Sequence, residues 1–232
     1  RLIRGEKDTE VVLLISREEW EEAKEIKVIR DTIKIPILKW EIKENNIAYI
    51  QLYHFTENSA DEFQKAITQI LKENPKGMIL DLRNNPGGYL EIAVNIASWF
   101  LPKGEIVAIE DFGNWEKTEY RSKGYESFKN LAAVVLVNKG SASASEIVAG
   151  ALRDNLGIKI VGEKTFGKGS VQELENLKGG SSLKITIAKW LTPKGTSIQD
   201  TGIEPDITIE ITEKDTNEGR DPQLEKALEL LK

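Results

Sequence analysis

The chain has no cysteine and only one histidine among its 232 residues. Without cysteine there is no disulfide framework, no cysteine-ligated zinc and no thiol nucleophile. A single histidine leaves His54 as the only source of imidazole chemistry. It lies in Ile50-Gln51-Leu52-Tyr53-His54-Phe55, a strand-like stretch with no acid beside it. Base histidines sit at strand ends or on loops near their nucleophile, so His54 reads as structural. A basic excess is also missing: 32 Lys and Arg stand against 38 Asp and Glu, a formal net charge of -6. That balance, with no basic cluster, argues against a nucleic-acid surface. No apolar run approaches ~18 residues, the length of a membrane-spanning helix. The chain shows no internal repeat and no low-complexity segment. It opens on Arg1-Leu2-Ile3-Arg4-Gly5, in mid-pattern and without Met, which predicts a fragment from which any leader or anchor has been lost.

What is present is 40% hydrophobic and 30% charged, enough for one sizeable core or one core with a small appendage. Residues 10–17 alternate weakly and predict a strand; residues 18–25 predict a turn or short exposed helix. Residues 27–37 carry Val28, Ile29, Ile33, Ile35 and Ile37, with Pro36 marking an edge. Residues 47–55 predict a strand, and residues 58–72 an amphipathic helix through Phe63, Ala66, Ile67, Ile70 and Leu71. A strand at 78–82, a turn at 84–88 and a helix at 89–101 follow. Residues 106–109 and 117–121 predict a hairpin. Strands are expected at 134–137, 158–161 and 182–191, an extended segment at 203–211 and a helix from Pro222. Alternating strands and helices predict an α/β core with parallel pairing.

The stretch Asn138-Lys139-Gly140-Ser141-Ala142-Ser143-Ala144-Ser145-Glu146 joins the apolar strand at 134–137 to a helical stripe of Ile147, Val148, Ala151 and Leu152. A strand, a tight turn and a helix N-terminus put hydroxyls beside free N–H groups and the positive end of the helix dipole. This can be half of an acyl-transfer site, a nucleophile with an oxyanion binder. The same serines can equally be helix caps and packing residues. A serine nucleophile here would need a base other than His54, and a desolvated lysine can serve. Lys168 is the candidate, because it stands between Gly167 and Gly169 after an apolar strand, where the backbone can bend tightly. Gly162, Gly167 and Lys168 also match most of a phosphate-binding P-loop. That motif needs Ser or Thr directly after the lysine, and Gly169 stands there instead.

Three blocks resemble the carboxyl-terminal processing (tail-specific) proteases, a Ser–Lys endopeptidase family. They are Asp81-Leu82-Arg83-Asn84-Asn85-Pro86-Gly87-Gly88, then Gly140 through Leu152, then Gly162-Glu163-Lys164-Thr165-Phe166-Gly167-Lys168-Gly169-Ser170-Val171-Gln172. Arg30-Asp31-Thr32-Ile33, Ala188 through Gly195 and Gly202-Ile203-Glu204-Pro205-Asp206 add weaker matches.

The resemblance implies a ClpP/crotonase-like α/β protease core of repeated βαβ units with an appended β-rich N-terminal segment. It implies Ser143 as nucleophile and Lys168, 25 residues later, as general base, with Gln172 orienting the lysine. The backbone N–H of Ala144 and one from Gly87 or Gly88 would form the oxyanion hole. Ser141 and Ser145 become bystanders, Asp154 structural, and Glu146 a cap or a support of the site. No cofactor and no metal is implied. The expected domains are 1–17, the end of a PDZ domain; 18–30, a linker; 31–215, the protease core; and 216–232, a C-terminal helix. The expected partner is a protein or peptide with a free apolar C-terminus, in the cell envelope, with homo-oligomerisation left open and no nucleic acid. A non-catalytic peptide-binding scaffold with the same fold is the alternative, and a hydratase-like acyl-CoA enzyme a weaker one.

Overall fold

The computed structural model describes residues 3–17, 20–32, 36–113 and 115–232. The expectations placed on Leu2, Glu18, Ile33 and Ile35 lie outside the described residues. The chain forms two compact units, 1–36 and 37–232. In the first, β1 (Glu10–Ile15) and β2 (Lys24–Ile29) pair antiparallel. Strand β2 lies within residues 18–30, expected as a linker or N-terminal segment, and the division between the units falls at Pro36. Within this unit the Arg30 guanidinium donates to the Ile3 carbonyl at 2.8 Å and to the Thr9 hydroxyl at 2.8 Å.

The second unit runs β3 (Leu38–Lys43), β4 (Ile47–Leu52), α1 (Ser59–Ile70), β5 (Gly77–Asp81), α2 (Leu90–Ala97), β6 (Ile106–Asp111) and β7 (Lys117–Arg121). It continues with β8 (Ala132–Val137), α3 (Ala144–Leu156), β9 (Lys159–Gly162), β10 (Ser170–Asn176), β11 (Ser182–Leu191), β12 (Ile207–Thr208), α4 (Glu213–Glu218) and α5 (Pro222–Leu230). The main sheet has the order β12-β9-β8-β5-β4-β3. Its strands are parallel except for β3, which runs antiparallel to β4 at the edge. A smaller antiparallel sheet has the order β10-β11-β6-β7.

Strand order in the main sheet follows chain order, so each crossover moves the same way. Crossovers of one hand moving one way leave their helices on one face. Accordingly Phe63, Ile67 and Ile70 of α1, Ala93 and Ile96 of α2, and Ile147, Val148 and Leu152 of α3 share one buried cluster with Ile50, Leu80, Val135 and Ile160 of the strands. The alternate strand residues point the other way. Ile47, Tyr49, Ile79, Val134, Leu136 and Val161 meet Ala227, Leu224, Leu228 and Leu231 of the C-terminal segment. The helix from Pro222 thus covers the far face, giving three layers, helix, sheet and helix. Proline opens α5 at a position that lacks an intrahelical acceptor for N–H, and Asp221 caps it by accepting the Leu224 N–H at 3.0 Å. No helix among the described residues is long and apolar enough to cross a membrane.

Candidate active site

In open parallel sheets, chemistry collects at the carboxyl ends of the strands. Here the loops at 82–89, 138–143 and 163–169, following β5, β8 and β9, converge at that end. Asn85 joins the first two. It is fully buried, and its Nδ2 donates to the Leu52 carbonyl at 2.8 Å while its Oδ1 accepts the Gly87 N–H at 2.9 Å. Its carbonyl accepts the Ala142 N–H at 3.0 Å and the Ser145 hydroxyl at 2.9 Å. The Ser141 hydroxyl donates to the Leu82 carbonyl at 2.8 Å. Ser141 and Ser145 are both fully buried, so their hydroxyls are spent on holding the loops together.

Ser143 differs from both. It is half-buried, it opens α3, and its backbone sits at φ 55°, ψ -114°. A non-glycine residue held there costs about 1–3 kcal/mol, and such outliers gather at functional sites. A strained strand-to-helix turn is also how a nucleophilic serine is lifted clear of its backbone. Gly87 presses against it: a Cβ on Gly87 would lie 2.8 Å from the Ser143 Cβ and 2.9 Å from the Ala144 nitrogen. Gly88 has φ 150° and backs onto Phe55, whose carbonyl would be 2.1 Å from an added Cβ. The Gly87 N–H is committed to Asn85. The N–H groups of Ala144 and Gly88 have no acceptor among the described residues, so of the two glycines Gly88 is the one with an N–H to offer a ligand.

Glu146 joins the second loop to the third. It is fully buried and accepts four hydrogen bonds. One oxygen takes the Ser143 N–H at 2.7 Å and the Lys168 N–H at 3.0 Å. The other takes the Thr165 hydroxyl at 2.5 Å and the Gly167 N–H at 2.7 Å. The backbones of Ser143 and Lys168 therefore meet at a single carboxylate oxygen. Gly169 completes the bend, since a Cβ there would lie 2.2 Å from the Gln199 nitrogen.

The side chains of the third loop are arranged differently. Lys168 is exposed, and its amine has no hydrogen-bond partner among the described residues. Gln172 is exposed on β10, beside the irregularity between Val171 and Gln172 in its pairing with β11. The structure thus brings together Ser143, Ala144, Gly87, Gly88 and the Lys168 backbone, while the Lys168 amine and the Gln172 amide make no hydrogen bond to them. The His54 imidazole has no hydrogen-bond partner among the described residues either. Asp154 accepts the Lys194 N–H at 3.0 Å and so pins a turn. After Lys168 the chain enters β10 rather than a helix, so no P-loop forms. No group of His, Asp or Glu among the described residues is arranged to hold a metal ion.

Residues 46–209 match the model for peptidase family S41. The chain belongs to peptidase family S41. Among its curated relatives, the carboxy-terminal-processing protease of Bartonella bacilliformis is 42% identical over 212 residues, covering 90% of this chain and 49% of that protein. Carboxy-terminal processing protease CtpA of Bacillus subtilis is 40% identical over 210 residues, covering 90% of this chain and 45% of that protein. The chain thus spans about half the length of the curated S41 relatives it matches. Among solved structures, the photosystem II D1 C-terminal processing protease superposes with a TM-score of 0.73 at 30% identity, over 89% of this chain and 57% of that one.

Two residues that hold this candidate site together were given no more than a minor place in the sequence reading. Asn85 lay in plain view inside the Asn-Asn-Pro-Gly-Gly turn. Glu146 had a signal in Ser143-Ala144-Ser145-Glu146, the spacing of a capping box. Its role is wider than a cap, because it also binds a loop 21 residues further on.

Proposed function

We propose that this chain carries the catalytic centre of a serine endopeptidase that cleaves protein substrates in their C-terminal region. The single observation that supports it best is Ser143, strained at the head of α3 with the unpaired N–H groups of Ala144 and Gly88 beside it. In the working form the Lys168 side chain turns inward and sheds water, which favours its neutral amine. That amine takes the Ser143 proton, and the serine oxygen attacks the scissile carbonyl carbon. The resulting oxyanion accepts from Ala144 and Gly88, donors aimed where charge develops. The C–N bond breaks as the Lys168 ammonium returns its proton to the leaving nitrogen. The same amine then deprotonates a water, which attacks the Ser143 ester carbon; the acyl–oxygen bond breaks as the ammonium returns the proton to the serine oxygen, and the acid is released. Gln172 orients the amine during these transfers.

Support for the pairing comes from Glu146, whose carboxylate holds the Lys168 backbone next to that of Ser143. The proposed substrate is a polypeptide with a free apolar C-terminus, and the proposed setting is the cell envelope. A second reading, a non-catalytic peptide-binding scaffold, draws on the exposure of Lys168. Cleavage of an unfolded protein with an apolar C-terminus decides between them. Ser143→Ala and Lys168→Ala should each abolish it and His54→Ala should not. Cleavage that survives Lys168→Ala removes the Ser–Lys assignment, and an inert wild type leaves the scaffold.

A further inference from the structure

The loop that carries Gly87 and Gly88 begins at Arg83, and Arg83 is held from two sides. Its guanidinium bonds Asp81 at 2.6–3.0 Å, and Asp81 also accepts the Tyr49 hydroxyl at 2.6 Å. These partners belong to the strands the loop grows from. The others come from the opposite end of the sequence. Asp221 takes two bonds from Arg83, at 2.9 and 2.8 Å, and the Gln223 Oε1 takes a third at 3.0 Å. Gln223 is fully buried and donates onward to the Ile209 carbonyl at 2.7 Å.

We propose that Asp221 and Gln223 are positioning residues for the oxyanion loop. The first turn of α5 latches Arg83 and thereby fixes where Gly88 presents its N–H. The inference rests on the reading of Gly88 as an oxyanion donor. Three features carry it. The bond pattern is bidentate, which fixes the guanidinium plane as well as its position. The latch is redundant for charge, since Asp81 alone already pairs with Arg83; what Asp221 and Gln223 add is a fixed direction. Finally, α5 has its own apolar anchor in Leu224, Ala227 and Leu228 on the sheet, so the polar turn is not required to dock the helix. Through Asn85 the same loop also bears on Ala142 and Ser145, so a shift at Arg83 reaches both halves of the site.

The test compares Asp221→Asn with Leu224→Ala in the whole chain. Asparagine still caps a helix but loses the charged fork to Arg83. Leu224→Ala loosens α5 without touching Arg83. Two readouts are taken well below the melting temperature of both variants: kcat and KM on a peptide ester, and amide hydrogen exchange of the 82–89 segment. For Asp221→Asn, kcat should drop about 10- to 100-fold with KM nearly constant, as expected when catalytic groups are misplaced, and exchange in 82–89 should quicken. Leu224→Ala should lower the melting temperature and leave both readouts near wild type. Equal changes in the two variants, or none in Asp221→Asn, overturn the latch. An inactive wild type would instead remove the proposed function, while hydrogen exchange would still decide whether α5 orders the loop.

Discussion

Replacing Glu146 separates a cap from a bracket. Its carboxylate holds three backbone N–H groups and one hydroxyl in a place water does not reach. In Glu146→Gln the amide keeps one acceptor. Its oxygen can stay on Ser143 and Lys168 while its NH2 donates to Thr165, whose hydroxyl can turn to accept. The Gly167 N–H then faces a donor and the buried Thr165 O–H loses its acceptor, and each orphaned donor costs about 1–3 kcal/mol. For a unit of this size each lowers Tm by about 2–12 °C. In Glu146→Ala all three N–H groups lose their acceptor, at about 3–9 kcal/mol in total by the same scale, against a whole-domain stability of about 5–15 kcal/mol. Melting followed by circular dichroism, with ester hydrolysis measured well below Tm, should give the order wild type, Gln, Ala, with turnover kept in Gln and lost in Ala. A simple helix cap is worth about 1 kcal/mol. If Glu146→Ala melts within about 4 °C of wild type, the scale of a lost cap alone, and still turns over, the bracket does not exist.

Three further outcomes follow from the same contacts. Gly88→Ala places a Cβ 2.1 Å from the Phe55 carbonyl at φ 150°, so the loop must shift; ester hydrolysis should be lost, and full activity would remove Gly88 from the site. Ser145→Ala gives up one hydroxyl bond to the Asn85 carbonyl, which Ala142 still satisfies, so chemical denaturation should show a loss of about 0.5–1.5 kcal/mol with activity retained. Burial pushes the Asp221 carboxyl up, but its bonds from Arg83 and the Leu224 N–H outweigh that and hold it below the ordinary aspartate range. A depressed carboxyl stabilises the fold above its unfolded pKa and loses that contribution as pH falls through the folded value. Tm should therefore fall as the pH drops below the ordinary aspartate range, with Arg83 the charged group facing Asp221, and Asp221→Asn should flatten that limb. An unchanged acid limb in the variant contradicts the assignment.

Much of the fold was legible because its period is strong. Phe63, Ala66, Ile67 and Ile70 mark α1 at helical spacing, and β11 is found at 182–191 as its alternation predicts. β3 was not expected, because its apolar Leu38, Trp40 and Ile42 alternate with the charged Lys39, Glu41 and Lys43 over only six residues. β10 was missed because its residues are mostly exposed and polar, and its identity comes from pairing with β11. At the candidate site, the three loops that meet were legible through local motifs. What joins them was not, because hydrogen bonds such as Glu146 to Gly167 or Arg83 to Asp221 span up to 138 residues and leave no local period.

The most direct test is to trap the intermediate. The chain is mixed with a peptide ester, quenched in acid within one turnover, digested and weighed peptide by peptide. The acyl mass should sit on the peptide that contains Ser143 and be missing when Lys168 is alanine. Hydrolysis without any acyl group on Ser143, or with the adduct formed just as fast in Lys168→Ala, would contradict the account.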